Sequence, residues 1–191
     1  MKYFGFYAII ITYRGNGAVF GGMKMYQAGD WVVYGIHGVC RVIGTEKQLV
    51  NRKHTQYLVL EPLSQQESRF YLPVENPAAL AKLHPVLTRD ELCTLMDSSE
   101  VRQDSWIPEE ALRKQRYREL IGCGDRVLLM QMVHTLYRYK ATQLAAGKKF
   151  HQSDENFLRD AEKLLTSEIA LAMQLTPEQS RDYLRSRLAE S

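Results

Sequence analysis

Hydrophobic and polar positions follow two different periods along this 191-residue chain. In GDWVVYG (29–35) and GVCRVIGTE (38–46) they alternate, and QYLVLEP (56–62) and SRFYLPV (68–74) repeat the pattern. Period two over four to eight residues is that of half-buried strands. Ile36-His37-Gly38 reads as a turn, residues 47–55 and 63–67 as polar connectors, and Asn51-Arg52 as a hairpin tip. Alternation assigns Trp31, Val33, Val39, Val42, Leu58 and Leu60 to one core, with Gly29 and Gly38 at corners where positive φ is needed.

After His84-Pro85 the period becomes helical. Thr88-Arg89-Asp90-Glu91 is a capping box heading a short helix to about Met96. Pro108 to Ile121 is the next helix, stopped by Gly122-Cys123-Gly124. Asp125 caps a long one with apolar Val127, Leu128, Met130, Met132, Val133, Leu136 and Tyr137, ending at Gly147. Ser153 starts another, in which Phe157, Leu158, Ala161, Leu164, Leu165, Ile169 and Leu171 recur at three and four. Thr176-Pro177-Glu178-Gln179 begins the last. The expected fold class is α+β: a small SH3/Tudor-like β-barrel followed by an all-α bundle of four to five helices.

Residues 1–24 stand apart. Their apolar run is interrupted by Gly5 and shorter than the ~20 residues that span a bilayer. A short apolar stretch follows one Lys, but no small-x-small cleavage site follows that. Codons for Gly21-Gly22 can spell a ribosome-binding site just before Met25, so residues 1–24 are expected to be an extension from an upstream start; the alternative is an added N-terminal strand. The expected organisation is 1–24 extension, 25–83 barrel and 84–191 helical domain.

Composition narrows the chemistry. Three cysteines (Cys40, Cys93, Cys123) without a CxxC argue against a disulfide framework and a zinc site, and suit a reducing cytoplasm. The five histidines lack ligand spacing, and no Walker loop, nucleophile elbow or paired carboxylate motif is present. No metal, cofactor, small-molecule substrate, membrane or catalytic activity is expected. Net charge is only +3, but residues 113–149 hold nine Lys/Arg against two acids, while 150–191 hold five against eight. Such asymmetry suits a basic face.

One of the two tryptophans, Trp106, sits in the polar stretch DSWIPEE (104–110), an unusual place for so large an apolar side chain. It either packs back onto the bundle or is held outward for a partner. Arg113, Lys114, Arg116 and Arg118 follow on the next helix, where pairs three and four apart form two ridges able to face one phosphate backbone, or a solvated face paired with Glu109, Glu110 and Glu119.

GDWVVYGIHGVCRVIGTE, QYLVL and FYLPVEN resemble the amino-terminal domain of the CarD/CdnL family of bacterial transcription regulators, a domain shared with transcription-repair coupling factor. The second half agrees: a Trp before a basic helix, Gly124-Asp125, TLYRYK, GKKFHQSDENFLRDAEKLL and SEIALA follow the family in order. The likeness covers about residues 25–185. It implies binding of the RNA polymerase β subunit through the Tudor-like domain, and contact of the helical domain with promoter DNA at the upstream edge of the bubble. Trp106 matches the family's wedge that favours the open complex. Two polymerase-contacting arginines of actinobacterial members stand here as Gln48 and Tyr71, with Arg69 a candidate replacement. Between the Trp and Gly124-Asp125 this chain is longer by about one helical turn, which leaves individual phosphate contacts open. The rival expectation is a protein–protein adaptor that never touches DNA.

Overall fold

The computed structural model describes residues 19–20, 23–24, 26–50, 52–65 and 67–189. Strands β1 (Val19–Phe20) and β2 (Met23–Lys24) form a two-stranded antiparallel ladder of their own. The rest of the expected extension, and Met25, lie outside the described residues.

The next five strands are β3 (Trp31–Tyr34), β4 (Val39–Val50), β5 (Lys53–Pro62), β6 (Phe70–Pro73) and β7 (Leu83–Pro85). They form one antiparallel sheet in the order β6-β5-β4-β3-β7, so β6 and β7 are its edges. A 3₁₀ turn, Gly35–His37, joins β3 to β4, and one turn of helix, α1 (Pro77–Leu80), precedes β7. Gly29 (φ 96°) and Gly38 (φ 70°) do adopt the backbone that only glycine takes freely. β7 crosses the expected boundary at 83/84, pairing His84 with Val33 and Pro85 with Val32.

Two expectations are corrected here. Residues 47–55 are not a loop: β4 and β5 stay paired to Val50↔Lys53, making a long two-stranded arm past the bulge at Val42/Gly44. Its polar sequence reflects an arm with both faces open to water, Leu49 included. The sheet core is Val32, Cys40, Val42, Leu58, Leu60, Leu72 and Leu83. Val33 and Val39 are buried without joining that cluster, and Trp31 is only half-buried, opposite Arg41, whose guanidinium lies 5.9 Å from the ring centre. Adjacent strand residues point to opposite faces, and both faces of this strand pair are covered, so alternation alone chose the wrong set at β3.

Five helices follow: α2 (Arg89–Met96), α3 (Glu110–Cys123), α4 (Arg126–Ala145), α5 (Gln152–Met173) and α6 (Pro177–Leu188). The capping boxes at Thr88 and Thr176 form as the sequence predicts, and Asp125 accepts from the Leu128 amide. Helix α3 starts two residues after Pro108, with Glu109 at its N-cap, and α5 starts at Gln152 behind His151. Leu92, Met96, Tyr117, Leu129, Met132, Leu136, Leu158, Leu165, Ile169 and Leu184 are among the residues of a second core. No helix of the described residues is long and apolar enough to cross a membrane.

The halves meet through the turn at Gly35–Gly38 and through Arg126. Gly124 (φ 69°), which terminates α3, lies against the turn at Gly35, and Gly38 lies against Leu164 and Ser167 of α5. Arg126 at the start of α4 donates to the Pro85 carbonyl and to Glu168 Oε2 (2.7 Å), while Glu168 Oε1 accepts from the Leu87 amide (2.8 Å).

Candidate functional site

The 97–109 segment lies along α4. Ser105 bonds through its amide (3.1 Å) and hydroxyl (3.0 Å) to Thr135 Oγ1, and the Trp106 amide donates to Asp104 Oδ1 (3.0 Å). One helical turn beyond Thr135, Tyr139 stacks on the Trp106 indole with ring centres 3.4 Å apart and planes 19° apart. Trp106 is half-buried at the margin of the helical core, so it neither sinks into the bundle nor stands clear of it.

Arg113 departs from expectation. It is 3% exposed, with Nε and Nη2 each 3.0 Å from an oxygen of the fully buried Asp154, and Nη1 donating to the carbonyls of Ile107 and Pro108. Its Cζ lies 4.3 Å from the indole centre. A guanidinium so engaged does not reach a phosphate. At 3.6 residues per turn, Arg113, Tyr117 and Leu120 share the buried stripe of α3. Lys114 and Arg118 therefore lie on one flank and Arg116 on the other, and the two expected ridges do not face one backbone.

The remaining α3 cations are available in different degrees. Lys114 pairs with Glu110 (2.5 Å), which holds that carboxyl below its ordinary pKa, and Arg116 pairs with Glu119 (3.5 Å). Exposed pairs of this kind contribute ~0–1 kcal/mol and yield readily to a stronger anion. Arg118 is exposed with no carboxylate partner among the described residues.

Other residues at this end were not singled out from the sequence. Phe150 sits beside Tyr139 (ring centres 6.3 Å apart), which places the α4–α5 loop next to the Trp106 stack. Lys148 and Lys149 in that loop are exposed, and neither pairs with a carboxylate among the described residues. Lys140 lies over Phe150 but is bound to Glu155 (2.7 Å). A lysine pair after a glycine was a visible signal; the contact of Phe150, the next residue, with Tyr139 of the Trp106 stack was not. Tyr117 belongs to the core, edge-on to Phe157, and Tyr137 packs against it, donating to Glu162. Burial pushes both phenols above their ordinary pKa, Glu162 adding to the rise at Tyr137.

On the sheet, Tyr71 lies on edge strand β6, exposed and edge-on to Tyr57. Arg69, just before β6, is half-exposed and 3.9 Å from Glu46 across the sheet. Gln48 sits beyond them on the β4–β5 arm, opposite Thr55. The two sheet edges differ. The carbonyls of β7 at Leu83 and Pro85 accept from Tyr26 and Arg126, whereas β6 pairs, among the described residues, with β5 alone. Among the described residues no group of three or more His, Cys, Asp or Glu is placed to hold a metal ion.

No curated protein matches the chain. Residues 26–85, which comprise the five-stranded sheet through its last strand, match the CarD-like/TRCF RID domain, an RNA polymerase-interacting module. The sheet half of the chain is thus similar to the domain that CarD-like proteins share with TRCF.

Proposed function

We propose that the chain is a transcription regulator that grips the RNA polymerase β subunit with the β6 edge of its sheet and presses Trp106 against promoter DNA at the upstream edge of the bubble, stabilising the open complex. In this reading the five strands curl as a Tudor-type barrel in a bacterial cytoplasm, and the chain works by binding alone. The observation that carries it is a half-buried indole stacked on Tyr139, whose other ring neighbour, Phe150, directly follows the exposed Lys148 and Lys149. An edge strand adds main-chain hydrogen bonds to a partner sheet largely regardless of side chain, so Gln48, Arg69 and Tyr71 adjust the contact rather than create it. Lys114, Arg118, Lys148 and Lys149 supply phosphate contacts that fix position without reading sequence. An apolar wedge offsets part of the cost of opening a step by the contacts it gains there.

A protein–protein adaptor is the second reading, favoured by the burial of Arg113 and the cover on both faces of Trp106. Trp106→Ala separates them. Under the first reading it leaves polymerase binding intact and shortens the open-complex lifetime; an unchanged lifetime overturns it.

A further inference from the structure

Arg113 makes three kinds of contact: its N–H groups donate to both oxygens of Asp154 on α5 and to the two carbonyls that follow Trp106, and its guanidinium lies over the indole. A buried ion pair is commonly no more stabilising than apolar residues of the same volume. Stability alone therefore does not account for it: the Asp154 pair fixes Arg113, whose remaining contacts are with the indole and the two residues that follow Trp106. Tyr139 closes the other indole face at 3.4 Å.

We propose that Arg113, clamped by Asp154, is a positioning residue that fixes Trp106 rim-outward, so that DNA meets the edge of the indole and not its face. The inference rests on the reading of Trp106 as the DNA-contacting group. Stacking between bases would require the indole to leave Tyr139 or to strip Arg113 of one of its partners. A rim, by contrast, enters a splayed minor groove with both faces still covered, and a side chain already held there loses little rotamer freedom on binding.

The test uses the full chain carrying Trp31→Phe, which leaves Trp106 as the only tryptophan. Arg113→Met/Asp154→Leu replaces the pair by apolar groups, and Arg113→Lys keeps a cation without the fork. The expected result is a folded double variant whose Trp106 is more accessible to acrylamide and lower in anisotropy. Its affinity for a forked duplex falls about fivefold to thirtyfold, the equivalent of one or two kcal/mol, and Arg113→Lys recovers part of each change. Unchanged quenching and anisotropy overturn the clamp; should the double variant not fold, the same outcome in Arg113→Lys decides. The near-UV circular dichroism of the Trp106–Tyr139 stack is expected to survive addition of the fork, and its loss overturns the rim contact. If Trp106→Ala binds the fork as tightly as the parent, the DNA reading fails, while quenching still judges the clamp.

Discussion

Arg126 and Glu168 join the two halves of the molecule. The Arg126 Nε donates to Glu168 Oε2 at 2.7 Å, and the second Glu168 oxygen holds the Leu87 amide at 2.8 Å. Both groups lie at the strand–helix junction, and Glu168 is 2% exposed. Arg126→Ala leaves a buried carboxylate with one neutral donor and costs about 3–5 kcal/mol. In urea the sheet and the helices of this variant are expected to unfold in separate transitions, where the parent shows one.

Gly124→Ala is expected to cost about 1–3 kcal/mol. Its φ of +69° strains any other residue, and a Cβ there would stand 3.1 Å from the Gly35 Cα, which is backbone and cannot swing aside. Gly122→Ala, where a Cβ meets nothing within 4 Å, is the control. Thermal melts of the two variants should differ in that order.

The cysteines should react in sequence. Burial raises the Cys40 thiol to about 11, and its side chain is wholly buried, whereas Cys123 is exposed and Cys93 intermediate, 3.2 Å from the Tyr183 hydroxyl. A thiol reagent at pH 7 should label Cys123 first and Cys40 only on unfolding, as mass spectrometry of timed aliquots would show.

Acidification should loosen the sheet. Burial holds His37 and His84 below the ordinary 6.5; at His84 the Arg126 guanidinium adds to this, while Asp125 and Glu168 oppose it. Between the folded values and 6.5 the unfolded chain binds more protons, so this contribution is present above 6.5 and lost as pH falls below it. The urea midpoint should drop between pH 7.5 and 5.5, and His84→Asn should flatten that drop.

Lys148→Ala/Lys149→Ala should weaken binding to forked duplexes of any sequence about equally. It should also reduce the slope of log affinity against log salt by about 1–2, near 0.9 for each phosphate that is no longer neutralised. Fluorescence anisotropy titrations at four salt concentrations give the slope.

Local chemistry was legible where one short segment decides it. Thr88, Asp125, Thr176 and Gly124 punctuate the helices because caps depend on residues within a turn. The β4–β5 arm was not legible, since its polar residues carry the composition of a loop while the pairing that orders them spans two segments. Arg113 stood among four cations and was grouped with them, although Arg113, Tyr117 and Leu120 at i, i+4 and i+7 already hinted at an inward place. Its partner, Asp154, is 41 residues away, and Tyr139 is 33 residues from Trp106. Pairings over such separations leave no periodic trace.

A strand with one side unpaired among the described residues is a standing invitation to a second molecule of the same protein. Here the invitation is brief: four residues, the last a proline that has no amide hydrogen to give. Two copies meeting through β6 would gain few bonds, whereas a larger docking body would add side-chain contacts along the neighbouring arm. Brevity at that border thus favours the foreign guest over the twin.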